Sequence, residues 1–157
     1  MQNAPKTHKF YMREALKEAA KASGKLESPI GAVIVHEGKI IARGHNTRET
    51  KQDALGHAEL AAIRKACQML GSWRLCDCDL YVTLEPCAMC AGAIIQSRIE
   101  NLYFGAFDPK AGAAGSVVDL FSVEKFNHRV KVQSGILATE CSQILSDFFA
   151  ALRKSKK

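Results

Sequence analysis

No apolar run in the sequence approaches the roughly 18–20 residues that a membrane-spanning helix requires. The β-branched stretch Ile30–Val35 falls far short of that length. The opening residues, Met1-Gln2-Asn3-Ala4-Pro5-Lys6, carry no apolar segment of the kind a secretory signal needs. Internal repeats, linkers and shifts of composition are also missing. These absences argue against a membrane-embedded, secreted or modular chain and lead us to expect a cytoplasmic one. The chain has 157 residues, 47% apolar and 24% charged. That is ordinary globular composition, far from disordered or low-complexity classes. The length predicts a single domain spanning residues 1–157. A domain of this size buries roughly 70% of the surface its unfolded chain exposes, enough for a core without covalent staples.

Lys and Arg number 22 against 16 Asp and Glu, for a net charge of +6. A basic surface favours polyanions, nucleic acid before anionic membrane. Four of the positive charges are concentrated in Arg153-Lys154-Ser155-Lys156-Lys157. That tail reads either as a solvated, frayed terminus or as a phosphate-contacting segment. The six cysteines are Cys67, Cys76, Cys78, Cys87, Cys90 and Cys141. With a substantial core and no export signal, a reducing compartment is expected, where cysteines serve as buried thiols, metal ligands or nucleophiles.

Periodicity predicts a helix over about Thr7–Ser23, with Phe10, Ala15, Leu16, Ala19 and Ala20 near helical spacing and Gly24 as its stop. Ile30–His36 and Lys39–Arg43 flank Glu37-Gly38 and read as a β-hairpin. Residues 46–56 read as an irregular polar loop. A helix is expected over His57–Leu70, a strand over Leu80–Leu84, and a short helix opened by Pro86 and running to about Gln96. Strands follow at Ile99–Phe104 and Val130–Gln133, separated by a Gly-rich loop over Asp108–Ser116. Leu137, Cys141, Ile144, Leu145, Phe148 and Leu152 form the apolar stripe of a last helix. Strands alternating with helices imply parallel pairing, and the initial hairpin makes the sheet mixed. The expected architecture is α/β, a central sheet with helices on both faces.

Two motifs carry chemistry. His57-Ala58-Glu59 enters one helix, and Pro86-Cys87-Ala88-Met89-Cys90 enters another. Cysteines at i and i+3 share a helical face, so one ion can reach both sulfurs. A helix N-terminus favours both as thiolates. Thiolates with imidazole make a zinc-type ligand set. A C-x-x-C pair alone also fits a redox site, but H-x-E followed by P-C-x-x-C is the signature of zinc-dependent nucleobase deaminases. Three ligands suit a catalytic zinc with an open position, whereas a closed structural site has four. Cys76 and Cys78 point to opposite faces of an extended segment and read as ordinary thiols. Cys67 and Cys141 read as core. Residues at i and i+2 in mid-helix point about 200° apart. His57 and Glu59 can therefore share a site only if His57 sits at the helix cap with non-helical dihedrals. Glu59 is then the general acid/base, not a ligand.

Beyond these motifs, the chain resembles the bacterial tRNA adenosine deaminases, the TadA family, over nearly its whole length. The matching runs are Pro29–Val33, Gly56–Glu59, Tyr81–Ala93, Gly112–Ser116, Asn127–Val130 and Leu145–Phe149. The resemblance implies a cytidine-deaminase-like three-layer α/β/α fold with a mixed five-stranded sheet. It also implies a homodimer, one Zn²⁺ per subunit, and conversion of adenosine to inosine at the wobble position of a tRNA anticodon stem-loop. It carries the metal ligands to His57, Cys87 and Cys90 and the proton shuttle to Glu59. It implies a base contact for Asn46, otherwise a turn-capping residue, and an RNA contact for Asp108, otherwise a turn residue before Pro109. One of Phe148 and Phe149 is expected in the core, with the other near RNA. The chain departs from the family where Asp53-Ala54-Leu55-Gly56 replaces Asp-Pro-Thr-Ala, which is expected to loosen that loop, and where Phe107 replaces a charged residue. Two rivals remain at this level. One is a deaminase of a free base or nucleotide (guanine, cytosine or a cytidine compound) with the same catalytic residues. The other is a zinc-stabilised RNA-binding scaffold, which has no use for Glu59.

Overall fold

The structure is a computed structural model that describes residues 6–156. Thr7 accepts the N–H of Phe10 at 3.2 Å and so caps α1, His8–Ser23. Such a cap is worth about 1 kcal/mol. The hairpin follows as β1, Gly31–His36, and β2, Lys39–His45. Next come α2, Arg48–Lys51, and α3, Ala58–Leu70, which ends at Gly71. β3, Cys78–Leu84, leads into α4, Ala88–Gln96, and then β4, Asn101–Ala106. A 3₁₀ turn at Leu120–Ser122, β5, Lys131–Gln133, and α5, Ala138–Ser155, complete the chain.

The five strands form one sheet in the order β2-β1-β3-β4-β5. β1 is antiparallel to both β2 and β3, while β3–β4 and β4–β5 are parallel. The sheet is mixed, as the alternation of strands and helices predicts. Side chains divide between its faces with the period of two that a strand imposes. Ala32, Ile34, Leu80, Val82, Leu102 and Phe104 pack with Ala58, Ala62 and Ala66 of α3 and Ala91, Ile94 and Ile95 of α4. Val33, Val35 and Tyr81 pack on the other face with Tyr11, Met12 and Ala15 of α1 and Cys141 of α5. The result is a three-layer α/β/α arrangement. The small residues of α3 allow it to lie close to β2. At Gly44 a Cβ would run into the Ala58 carbonyl and come within 2.9 Å of the Ala62 nitrogen. That approach fixes where α3 begins.

Several expectations need correction. Residues 46–56 are not wholly irregular, because they contain α2. Glu27, 1% exposed, accepts the N–H groups of Glu49 and Thr50 at 3.0 and 2.5 Å and also the Thr50 hydroxyl. Thr47 donates its N–H to the Gly56 carbonyl at 2.9 Å, so this proline-free segment is tied down at both ends. Pro86 lies before the helix rather than in its first turn. Cys87 is the cap, with φ −75° and ψ 175°. β4 begins two residues later than expected, since Ile99 is buried without joining the ladder. In α1 the buried face is Tyr11, Met12, Ala15, Glu18, Ala19 and Ala22, and Ala20 faces solvent.

In α5 only Cys141 of the expected stripe is fully buried. Neither Phe148 nor Phe149 is core. Phe148 is half-buried, Phe149 is 41% exposed, and their rings meet edge-on at 5.2 Å. The basic tail is helical through Ser155, so Arg153 and Lys154 sit in the last turn of α5, where the helix dipole favours cations. Lys157 lies outside the described residues. Among the described residues, no helix is long and apolar enough to cross a membrane.

Candidate active site

The site lies at the carboxyl ends of the parallel strands β3 and β4, where open α/β sheets place their ligands. A cleft there is lined by His57, Glu59, Cys87, Asn46, Asp108, Arg48 and Glu85, with Ser28, Ile30, Leu84 and Ala111 completing its walls. Two helix N-termini converge on it. His57 is the cap of α3, with φ −97° and ψ 148°, and Cys87 is the cap of α4. The extended backbone at His57 turns its ring to the side on which Glu59, two residues later, is buried.

His57 Nδ1 lies 3.6 Å from Cys87 Sγ and 3.5 Å from Cys90 Sγ. The three donor atoms all lie within 4.8 Å of one another. With metal–nitrogen bonds of about 2.0–2.1 Å and metal–sulfur bonds of about 2.3 Å, the N···S edge of a tetrahedral zinc site is about 3.6 Å. The donor set and its spacing therefore fit zinc. Among the described residues, no other His, Cys, Asp or Glu joins this group.

The electrostatics are those of a thiolate site. The neighbouring Cys90 thiol pulls the Cys87 thiol down to about 4; burial opposes this and His57 reinforces it. The same contact, together with burial, pushes the Cys90 thiol up. The hydrogen bond with Cys87 raises His57 against the effect of burial. Glu59 is 4% exposed, and burial lifts its carboxyl to about 7. A group poised near neutrality suits proton transfer in both directions.

Asn46 is 8% exposed, and its Oδ1 accepts the N–H of Ala58 at 3.1 Å. It therefore caps α3 while also lining the cleft. Asp108 holds a turn, accepting the N–H groups of Lys110 at 3.1 Å and Ala111 at 3.3 Å, and its residue borders the same cleft. Both residues thus hold local structure and line the cleft. Beside the cleft, a groove is lined by Phe107, Asp108, Leu145 and Phe149. The remaining cysteines stay apart from the site. Cys76 is exposed and Cys78 buried, while Cys141 is in the core and Cys67 packs at its edge. Sequence reasoning missed Glu85, Glu27 and Arg48. Glu85 directly precedes Pro86-Cys87 at the end of a buried strand, and that position was a usable signal. Glu27 carried none, because its partners lie 22 and 23 residues away, and Arg48 read only as one charge of a polar loop.

The chain matches the family described as MafB19-like deaminase over residues 6–153. It is 57% identical over 148 residues to the tRNA-specific adenosine deaminase of Bacillus subtilis (strain 168), covering 94% of this chain and 92% of that one. It is 46% identical over 156 residues to the chloroplastic tRNA(adenine(34)) deaminase of Arabidopsis thaliana, covering 89% of this chain and 12% of that protein. A structure solved in studies of A-to-I editing by tRNA:A34 deaminases at the wobble position of transfer RNA superposes with a TM-score of 0.84 at 49% identity. That match covers 87% of this chain and 99% of that one.

Proposed function

This chain belongs to the family of tRNA-specific adenosine deaminases, and on that footing we propose that it converts adenosine to inosine, with release of ammonia, at the wobble position of a tRNA anticodon. The observation that carries this reading is a buried carboxylate, Glu59, beside a three-residue metal set in one cleft. A structural zinc site has four protein ligands and no need of such a group.

His57, Cys87 and Cys90 would hold one Zn²⁺. Bound there, the ion would supply Lewis acidity toward a water molecule. Two thiolates offset the ion's charge, so a neighbouring base is needed to draw off that water's proton. Glu59 would accept one proton of that water at its carboxylate and deliver it to the adenine ring nitrogen, then take the second proton from the oxygen now bonded to carbon and pass it to the amine, which leaves as ammonia as the C–N bond breaks. Asn46 orients the base through its side-chain amide. Asp108 contacts the RNA at the mouth of the cleft, and the Phe107 and Phe149 rings beside it stack on flanking bases. An adenine within a duplex hides its reactive carbon, so the substrate is the single-stranded anticodon loop. The whole chain acts as one deaminase domain. The homodimer that the family resemblance implies is part of the same proposal. A tRNA substrate and unpaired thiols support a cytoplasmic location.

The test compares turnover on an anticodon stem-loop with turnover on guanine, cytosine and cytidine compounds, using zinc-loaded protein. Deamination of the RNA alone is expected. Deamination of a free compound alone would transfer the same catalytic residues to the small-molecule rival.

A further inference from the structure

Glu85 is 2% exposed and immediately follows β3, with its own N–H donating to the Ala106 carbonyl at 2.9 Å. Its carboxylate is engaged entirely by the loop that follows β4. Oε1 accepts the N–H of Asp108 at 3.0 Å and the hydroxyl of Ser116 at 2.5 Å. Oε2 accepts the N–H groups of Ala114 at 2.9 Å and Ser116 at 3.1 Å. A carboxylate offers about four acceptor positions, so these bonds use its capacity. The loop also closes over it sterically, since a Cβ at Gly112 would overlap the Glu85 carboxylate. One further bond, from Ala113 N–H to the Pro86 carbonyl at 2.8 Å, ties the loop to the residue before Cys87.

We propose that Glu85 is a positioning residue for the substrate: its carboxylate fixes the 108–116 loop and so sets where Asp108 stands at the mouth of the cleft. This rests on the tRNA reading above. With its oxygens held by the loop, Glu85 is not a second proton carrier. It acts through Asp108 and the backbone around it. A buried charge saturated by backbone N–H groups costs far more to strip of its partners than a neutral group does, which gives the loop one conformation.

The test uses the full-length, zinc-loaded protein with Glu85→Gln, which keeps the shape but turns an amide NH₂ toward N–H and O–H donors. Amide hydrogen exchange at Asp108, Ala114 and Ser116 should speed up by about tenfold or more, because local opening becomes easier. KM for an anticodon stem-loop should rise by roughly tenfold while kcat stays within about threefold, the pattern of impaired substrate positioning. Zinc content should not change. Asp108→Ala should weaken the wild type but add less than about twofold in the Glu85→Gln background, because the two act as a unit. Ser116→Ala, which removes one of the four bonds, should give intermediate exchange and KM, and it carries the test if Glu85→Gln fails to fold. Unchanged loop exchange, a fall in zinc content matching the loss of activity, or additive Asp108 and Glu85 effects would each overturn the proposal. Exchange is read without turnover. A chain that edits no RNA would thus overturn the proposed reaction separately from the anchoring of the loop.

Discussion

Asn46 Oδ1 accepts the backbone N–H of Ala58 at 3.1 Å, which ties the residue after β2 to the first turn of the helix that carries Glu59. One end of the amide is committed to the fold, and in the proposed reaction Nδ2 donates to the base. The two ends can be separated by mutation. Asn46→Asp keeps the acceptor and should hold the melting temperature near wild type. Asn46→Ala loses the cap and should cost about 1 kcal/mol of stability. Both should lower kcat/KM, by roughly 5- to 150-fold for the loss of one buried hydrogen bond of about 1–3 kcal/mol. Thermal melts and single-turnover inosine formation measure the two effects independently.

Glu59 and Cys90 should fail in different ways. Glu59→Gln removes the proton carrier and leaves the ligands, so zinc content and fold should persist while turnover falls by about 10²- to 10⁴-fold. Cys90→Ala should lose both zinc and activity. Metal analysis alongside the assay distinguishes them, and undiminished turnover in Glu59→Gln would remove that residue from the chemistry.

Much of this site was legible because its determinants are local. The i, i+3 spacing of Cys87 and Cys90 and the cap requirement at His57 follow from helix geometry alone, and both hold in the structure. What was not legible depends on distant partners. The helix α2 stands where an irregular loop is expected, held by Glu27 from 22 residues away. Glu85 finds its partners 23 to 31 residues downstream. Apolar patterning also marks burial rather than pairing, which is why Ile99 reads as strand although the ladder begins at Asn101. The stripe of α5 overstates its burial because most of it borders surface grooves, with Leu145, Phe148 and Leu152 lining them.

The Glu27 carboxylate makes stability depend on pH. Burial pushes its carboxyl up, but the hydrogen bonds from Thr50 and Glu49 outweigh that and leave it below its ordinary value. A carboxylate lowered by folding stabilises the fold above its unfolded pKa of about 4.3, and that contribution is lost as pH falls through the lower folded value. Glu27→Gln should therefore melt several degrees below wild type at pH 7, with the two curves converging below about pH 4. Melting temperatures across that range check the sign. A gap that widens on acidification would contradict it.

Binding of the RNA should weaken as salt rises, given the net charge of +6. Replacing Arg153 and Lys154 with Gln should flatten the plot of log affinity against log salt by about 0.7 for each phosphate that is no longer neutralised, the value for single strands. Fluorescence anisotropy with a labelled stem-loop over a salt series provides the slopes. An unchanged slope would assign those charges to solvent.

The most direct test of wobble-position editing incubates zinc-loaded protein with an anticodon stem-loop bearing adenosine at the wobble position and at other loop positions. The RNA is then digested and inosine is located by mass spectrometry. Inosine is predicted at the wobble position alone. An RNA left unedited by a folded, zinc-loaded protein, or edited without regard to position, would contradict the proposed function.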